Sequence, residues 1–245
     1  MSHNSKTPEG ARPFLDKESL KELAKTWKAG AQKFEPTHIG GSNYPVNYFA
    51  DRIEGNHRED ETIEHIHGES FIEKVIPNKL KDLKPGQKLK ILDNGAGAAL
   101  FVDQIRAAFD DKVDVYSTGI SKRVAQTYRR DHLLPKLKLK DLKWRSISQL
   151  KDFPEFDLII DTWGEQYYRT IGNRKGENLL VDASEYEKHL EQVVKKLLPG
   201  GYASLSPILL PSIVKNCLKG LEKRYSFQWG FLGGALKIWK GRNKV

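Results

Sequence analysis

The feature that most constrains the fold of this chain is a regular alternation of apolar runs and helical patterns that begins near Lys88. The runs "KLKILDNG" and "FDLIIDTWG" have the length of strands, and each precedes a segment whose apolar residues recur at helical spacing. Strands that alternate with helices predict a parallel sheet joined by right-handed crossovers. The unbroken "LII" indicates strands buried on both faces, so helices are expected on both sides of the sheet.

Two further runs, "YSFQWG" and "ALKIWKG", alternate in polarity near the end of the sequence and are separated by Gly233 and Gly234. Short alternating runs around a glycine turn predict a β-hairpin, which adds an antiparallel strand to the sheet. The predicted fold class is therefore α/β. It consists of a seven-stranded, mostly parallel sheet with a C-terminal antiparallel hairpin, helices on both faces and an N-terminal helical extension.

The N-terminal extension contains two helical patterns, "DKESLKELAKTWKAGAQKF" and "EDETIEHIHGESFIEKVIPNKL". The second is predicted to break near Gly68 and to end at Pro77, because proline cannot donate the next helical hydrogen bond. Between them, "EPTHIGGSNYPVNYFADRIEG" is rich in Gly, Pro and Asn and is predicted to form loops and turns.

The first strand of the alternation runs into the turn "DNGAG", where Asp93 precedes Gly95 and Gly97. Glycines let the backbone turn sharply and let a ligand approach closely. The helix that follows directs its free N–H groups and positive dipole end at that ligand. The stretch therefore suits a nucleotide-like ligand. Leu100 replaces the third glycine of a dinucleotide-binding motif and no Walker A lysine follows, which disfavours NAD and nucleoside triphosphates.

The stretch "ILDNGAG" resembles the first motif of class I S-adenosylmethionine-dependent methyltransferases. "FDLIID" resembles their fourth strand, "LLPGGYASLS" the turn before their fifth strand, and the closing hairpin their sixth and seventh strands. The order and spacing of these four features carry the resemblance, which spans about Lys88 to the C-terminus. It implies a Rossmann-like methyltransferase domain in residues 85–245, S-adenosylmethionine as cofactor, and residues 1–84 as a helical extension that covers the site as a lid.

The resemblance also implies where the cofactor binds, and this sequence departs from the family at two positions. The family commonly ends its second strand with an acid that holds the ribose hydroxyls, where this chain has Gly119. Near the end of the third strand, serines replace an aspartate that often faces the adenine amine, and hydroxyls bind more weakly than carboxylates. The implied cofactor-binding residues are Asp93, Asn94, Gly95, Ala96, Gly97, Gly119, Ile120, Ser121, Ser146, Ile147, Ser148, Asp161 and Thr162.

The missing acids leave room for help from the N-terminal extension. His38, Tyr44 and Tyr48 are candidates for additional contacts with the cofactor. Aromatic side chains that anchor a loop on the sheet would give the same pattern, and the two interpretations stay open.

Candidate catalytic residues follow the fourth strand, whose end faces the reaction site in the resembled family. They are Asp161, Glu165 and Tyr167 in "DTWGEQYY". His65 and His67 in "EHIHGE" are further candidates for a general base. Their H-x-H spacing lacks the partners of a metal site, so no metal is predicted and both histidines are expected on the surface.

The acceptor of the methyl group is narrowed by two absences in the sequence. After the fourth strand, the family's Asn/Asp-Pro-Pro-Tyr/Phe motif of base- and glutamine-methylating enzymes is replaced by "DTWG", and no Pro-Cys pair for cytosine chemistry is present. A small molecule or a protein side chain is therefore expected as acceptor. The net charge of +9 attracts anionic partners and keeps nucleic acid open without selecting it.

Three features of the sequence suggest a cytoplasmic location. No apolar run is long enough to cross a bilayer, and the polar opening of the sequence predicts no secretory signal. The single cysteine, Cys217, is expected to be a small buried thiol in a helix, which fits a reducing compartment.

Two other functions stay open at this point. The chain could be a non-catalytic member of the resembled fold that binds an acidic partner or nucleic acid, as the missing acids suggest. It could also be an NAD(P)-dependent oxidoreductase, for which Lys122 and Arg123 hint at a phosphate contact and Leu100 counts against it.

Overall fold

The computed structural model describes residues 36–39, 42–45, 63–64, 66–96, 99–119, 142–162, 183–206 and 211–241. Most of these residues surround one seven-stranded sheet. Its strands are β3 (Leu89–Asn94), β4 (Val113–Gly119), β5 (Lys143–Ser146), β6 (Phe156–Thr162), β7 (Leu197–Ser206), β8 (Phe227–Leu232) and β9 (Ala235–Lys240). They lie side by side in the order β5-β4-β3-β6-β7-β9-β8.

The strands from β5 to β7 pair in parallel, and β9 pairs antiparallel with both β7 and β8. The connection between β8 and β9 is the predicted glycine turn, in which Gly233 and Gly234 have φ of 62° and 86°. Two successive positive φ angles favour the tight turn that joins hairpin strands. The predicted seven-stranded, mostly parallel sheet with a C-terminal antiparallel hairpin is therefore confirmed.

Helices cover both faces of the sheet, as the sequence predicts. The described helices are α1 (Ile76–Lys81), α2 (Leu100–Phe109), α3 (Ala183–Lys196) and α4 (Pro211–Glu222), with a π-helix at Phe71–Val75 and 3-10 helices at Asp110–Lys112 and Ile147–Asp152. Among these residues, no helix has both the length and the apolar composition that a membrane crossing requires.

Neighbouring residues of the central strands face opposite cores, because side chains alternate along a strand. Leu92 and Ile159 pack with buried residues of α3 and α4, and Cys217 of α4 belongs to this core. Ile91 and Ile160 pack on the other side with residues of α2 and of the N-terminal segment. Burial on both faces explains why these strands are almost entirely apolar, and the expected burial of Cys217 is confirmed.

The helical segment ahead of β3 differs in one respect from its prediction. The break near Gly68 is confirmed, since this residue has φ of 69° and follows a helical turn that includes His67. Pro77 was predicted to end the helix, which is wrong, because Pro77 lies in the first turn of α1. Proline is tolerated there, since first-turn N–H groups have no acceptor within the helix.

The segment predicted as loop and turn contains a second, small sheet, so that prediction is wrong for eight of its residues. Strands β1 (Pro36–Ile39) and β2 (Ser42–Pro45) pair antiparallel, with Ile39 opposite Ser42. In the sequence Gly40 and Gly41 separate them, and a Gly-Gly pair between two short runs is a hairpin signal. The helix predicted for "DKESLKELAKTWKAGAQKF" lies outside the described residues.

The described part of the extension packs against the same sheet as the rest of the chain. Ile63, Phe71 and Ile76 are buried in the core that contains Ile91 and Ile160. The predicted division into residues 1–84 and 85–245 falls between α1 and β3 and stays a prediction.

Gly68 and Gly233 bring the extension and the C-terminal hairpin into direct backbone contact. A Cβ atom on Gly68 would lie 2.8 Å from Gly233 Cα, and one on Gly233 would lie 2.6 Å from Gly68 Cα. Real Cβ atoms do not approach backbone this closely, so both positions require glycine. The contact fixes residues 66–70 over the ends of β7 and β9.

We expect Gly68→Ala to lower the free energy of unfolding by at least about 1 kcal/mol more than Gly86→Ala does. Both glycines have positive φ, of 69° and 82°, so both substitutions carry the cost of a left-handed alanine. Only Gly68 also meets backbone, because a Cβ on Gly86 has nothing within 4 Å. Urea denaturation of the two variants measures the difference, and equal losses would show that the segment does not rest on the hairpin turn.

Candidate functional site at the carboxyl edge of the sheet

Most of the predicted site residues that the structure describes meet at the carboxyl ends of β3, β4, β5 and β6. Asn94 lies opposite Thr118 in β4 and opposite Asp161 in β6, and Gly119 lies opposite Ser146. This is the edge at which open parallel sheets bind ligands. Of the predicted residues, Gly97, Ile120, Ser121, Glu165 and Tyr167 lie outside the described residues, and for Ser146, Ile147 and Ser148 only the backbone is described.

Two hydrogen bonds to strand β4 hold the turn that follows β3. The Gly95 N–H donates to Thr118 Oγ1 at 2.9 Å, and the Ala96 N–H donates to the Thr118 carbonyl at 2.9 Å. Gly95 has φ of 89°, so the turn uses a conformation in which glycine is favoured. The backbone therefore leaves β3 in a fixed direction.

The N-terminus of α2 faces the same turn and is left without a side-chain cap by the described residues. Its N-cap residue, Ala99, has φ of 62° and accepts no such bond, because alanine has no polar side chain. Uncapped N–H groups at a helix start, together with the positive end of the dipole, favour an anionic ligand group. Asp93, which precedes the turn, is 4% exposed.

A chain of buried polar groups connects the turn to β6. The Thr118 hydroxyl donates to Asn94 Oδ1 at 2.5 Å, and Asn94 Nδ2 donates to Asp161 Oδ2 at 2.6 Å. His189 of α3 lies near the same carboxylate oxygen, with its Nε2 3.9 Å from Asp161 Oδ2. Asp161 and His189 side chains are both fully buried. The carboxylate of Asp161 thus accepts the last bond of a chain that holds the glycine turn.

At the end of β4, Gly119 has no space for an acidic side chain unless the neighbouring residue Trp144 moves. A Cβ atom on Gly119 would lie 2.2 Å from Cζ2 of Trp144, which comes from β5. The indole ring therefore occupies the space that a side chain at this position would need. Two residues earlier in β4, Ser117 lies opposite Asp93, is fully buried, and makes no hydrogen bond through Oγ within the described residues.

His67 is fully buried, so its expected place on the surface is wrong. Its Nδ1 lies 2.6 Å from Ser204 Oγ of β7, and its Nε2 lies 2.8 Å from Thr162 Oγ1 of β6. The Phe71 ring and the imidazole pack edge-to-face, with ring centroids 5.2 Å apart. Two hydroxyls on neighbouring strands explain why a histidine can be buried here. His65 lies outside the described residues.

Ser204 also contacts a buried ion pair, which is formed by Lys237 and Glu69. Lys237 of β9 donates to Glu69 Oε1 and, at 2.8 Å, to Ser204 Oγ. The Tyr202 hydroxyl donates to the same oxygen of Glu69. The Lys237 side chain is 1% exposed and that of Glu69 is 18% exposed, so the pair is largely shielded from water.

Burial and charge set the protonation of this group of residues. Burial, and next the charge of Lys237, hold the pKa of His67 well below its usual value of 6.5, so the ring is neutral. Burial also lowers the pKa of Lys237, which Glu69 partly opposes. Burial, followed by the Glu69 charge, raises the pKa of Tyr202 far above its usual range, so its phenol keeps its proton.

Sequence reasoning missed the residues of this second network because they are far apart in the chain. Ser204 is 137 positions from His67, and Lys237 is 168 positions from Glu69. One sequence signal indicated a polar network, because "ASLS" places hydroxyl groups at every second position of an otherwise apolar run. Among the residues that the structure describes, no three His, Cys, Asp or Glu side chains are grouped so that they could hold a metal ion.

No protein-family model and no curated protein matches the chain. Among solved structures it is similar to the plantazolicin methyltransferase BpumL in complex with a monoazolic desmethylPZN analog and S-adenosylhomocysteine. The two share 12% identity over 92% of this chain and 96% of that chain, with a TM-score of 0.52. For the CurJ carbon methyltransferase, the values are 13% identity, 92% and 66% coverage, and a TM-score of 0.51. At such identities the likeness shows the fold, which is that of the class I methyltransferases.

Proposed function

We propose that the protein is an S-adenosylmethionine-dependent methyltransferase that acts on a small-molecule or protein acceptor. The observation that carries the proposal is the arrangement at the end of β3, where buried Asp93 precedes a glycine turn and an uncapped helix start. This turn lies in a sheet whose strand order and closing hairpin are those of the methyltransferase fold. BpumL, with the same fold, was crystallised with S-adenosylhomocysteine, and we extend this cofactor class to the present chain.

The residues at the turn fit such a cofactor in part. The backbone after Gly95 and the start of α2 suit the charged amino-acid end or the nucleoside, which need close approach and N–H donors. Ser117 offers a buried hydroxyl whose hydrogen-bonding capacity is unused within the described residues. The ribose hydroxyls would find no carboxylate at Gly119, and the ring of Trp144 stands there instead.

When bound, the cofactor supplies a methyl group on a positively charged sulfur, and the work of the protein is to position the two reactants and to exclude water. In this proposal Asp161 is a positioning residue, because its buried carboxylate already accepts the bond from Asn94 that holds the turn. Glu165 and Tyr167 stay as candidates for a general base. A reducing, cytoplasmic setting belongs to the same proposal.

Titration calorimetry with S-adenosylmethionine and S-adenosylhomocysteine tests the function. We expect binding by the wild-type protein and at least a tenfold weaker affinity for Asp93→Ala, since bonds to a charged group contribute about 1.5–3 kcal/mol each. Asp157→Ala is the matched control. Asp157 also lies in a strand, but its carboxylate accepts the Lys90 N–H toward the amino end of β6. It should bind within about twofold of wild type, because ΔΔG values of distant sites are independent.

A folded wild-type protein that binds neither molecule would contradict the proposal. It would favour the second candidate, a non-catalytic protein with the methyltransferase fold that binds an acidic partner or nucleic acid. The filling of the acid position by Trp144 favours this candidate, as does the net charge of +9. Pull-downs with nucleic acid and with acidic proteins would then separate its two kinds of partner.

A further inference from the structure

Hydrogen bonds connect Lys237 to Thr162 through Ser204 and His67, and the direction of the first bond in this chain of hydrogen bonds is fixed. Lysine carries donors and no acceptor, so Lys237 can only donate to Ser204 Oγ. The Ser204 hydroxyl therefore accepts from the lysine, and its own proton is left for another neighbour. Two groups contact it, the Tyr202 hydroxyl and His67 Nδ1, and the contact with His67, at 2.6 Å, continues toward Thr162.

The direction of the chain decides which nitrogen of His67 carries the proton. A neutral imidazole has one donor and one acceptor nitrogen. If Nδ1 accepts from Ser204, the proton is on Nε2, which donates to Thr162 Oγ1 at 2.8 Å. The opposite tautomer would point an N–H at a hydroxyl that already accepts from an ammonium group, which the Lys237 charge opposes.

The chain ends at Thr162, the last residue of β6. Its hydroxyl oxygen accepts from His67, so its proton is the one that remains to be donated. Thr162 is 7% exposed and makes no second side-chain hydrogen bond within the described residues. It directly follows Asp161, whose carboxylate is bonded to the residue that precedes the glycine turn. This donor, for which the described part of the chain provides no acceptor, therefore lies at the edge where the ligand is proposed to bind.

We propose that Thr162 recognises a carboxylate or carbonyl oxygen of the bound ligand, with Lys237, Ser204 and His67 as the positioning residues that make its hydroxyl a donor. An ammonium group has donors only and could not accept this proton. The proposal rests on the proposed function for the identity of the site. The oxygen belongs either to the carboxylate of the cofactor or to the methyl acceptor, and both present the same chemistry to the hydroxyl.

Nitrogen NMR of the protein labelled with 15N in its histidine rings tests the direction of these hydrogen bonds. The variant His67→Gln identifies the signals of His67. We expect the Nε2 of His67 to be protonated and its Nδ1 to be bare. A protonated Nδ1 would overturn the proposal, because Thr162 would then donate to His67 and face the ligand as an acceptor.

The kind of ligand is tested with acetate as a probe, titrated onto the free protein while the His67 signals are observed. We expect acetate to shift them in wild type and in Thr162→Ser, which keeps the hydroxyl. Thr162→Val, which has nearly the same shape and no hydroxyl, should lose the response. No response in wild type, or an equal response in Thr162→Val, would overturn the proposal.

Repeating the titration with nucleosides identifies the source of the oxygen. If S-adenosylhomocysteine abolishes the acetate response and 5′-methylthioadenosine, which lacks the amino-acid part, does not, Thr162 binds the carboxylate of the cofactor. If the response persists with S-adenosylhomocysteine bound, Thr162 binds the methyl acceptor. Should calorimetry find no binding of S-adenosylhomocysteine, the proposed function fails, while an acetate response in the free protein would still support a donor at Thr162.

Discussion

We expect Glu69→Gln to lower the free energy of unfolding by about 3–5 kcal/mol, because it leaves the buried ammonium group of Lys237 without its counter-charge. The Lys237 side chain is 1% exposed, so water cannot replace the lost partner. The glutamine can still accept a hydrogen bond from Tyr202, and the effect therefore reports mainly the missing charge. Urea denaturation followed by circular dichroism at neutral pH measures the loss.

Two controls separate this charge effect from a general weakness of the variant. Glu155→Gln removes the partner of Lys240 on the same strand β9, but there the carboxylate is 51% exposed and the atoms are 3.7 Å apart. A surface pair contributes about 0–1 kcal/mol, so this variant should remain close to wild type. The double variant Glu69→Gln/Lys237→Met should recover most of the stability, since an apolar side chain of similar length replaces the unpaired charge.

The pH dependence of the variant gives a third check. Burial lowers the pKa of Lys237 in the folded protein. The unfolded chain then binds more protons than the folded one, and stability rises with pH. Without Glu69, which opposes this shift, the deficit of Glu69→Gln should shrink as the pH is raised. A deficit below about 1 kcal/mol at neutral pH would mean that Lys237 is hydrated and that the pair is not buried in solution.

The sequence predicted the parts of this fold that depend on local pattern. Apolar runs such as "FDLIID" identify a strand wherever it lies in the sheet, because a strand buried on both faces cannot contain many polar residues. The glycine pair at 233–234 is similarly local, since a tight turn needs positive φ at both positions. Together with the resemblance to a known fold, these signals predict a mostly parallel sheet with a closing antiparallel hairpin.

The wrong secondary-structure predictions concern residues whose local sequence fits two different structures. Pro77 excludes a helix interior but suits a first turn, and the sequence does not show that α1 begins one residue earlier. The Gly-Gly pair at 40–41 fits both a loop and a hairpin, and only the pairing of β1 with β2 decides. Local propensity therefore locates a change in the chain direction better than it names the structure that follows.

Of the candidate site, only the part formed by residues at the strand ends could be predicted from the sequence. Asp93, Asn94 and Asp161 lie at strand ends, where the sequence pattern points to a ligand, and they come together because parallel strands end at one edge. The second network depends on contacts between distant segments, so neither His67 nor Lys237 could be assigned a partner from the sequence. The role of Trp144 was hidden for the same reason, since its ring fills the place of a side chain on another strand.

We expect the wild-type protein to lose stability below about pH 6.5, with a part of this loss that His67→Gln removes. The pKa of His67 is held well below 6.5 by burial and next by Lys237. Below its usual pKa the histidine of the unfolded chain takes up a proton, while the folded ring stays neutral. The unfolded state then binds more protons, so the free energy of unfolding falls as the pH falls, and it is flat above this range as far as His67 is concerned.

The size of the effect follows from the same linkage and reaches about 1.4 kcal/mol for each pH unit below the usual pKa. Between about pH 6.5 and pH 5 the contribution of His67 should therefore approach about 2 kcal/mol. Urea denaturation of wild type and His67→Gln at several pH values measures it, and other titrating groups cancel in the difference between the two curves. Parallel curves would mean that His67 is protonated as easily in the folded protein as in the unfolded chain. The ring would then not be enclosed between Thr162 and Ser204, as the structure places it.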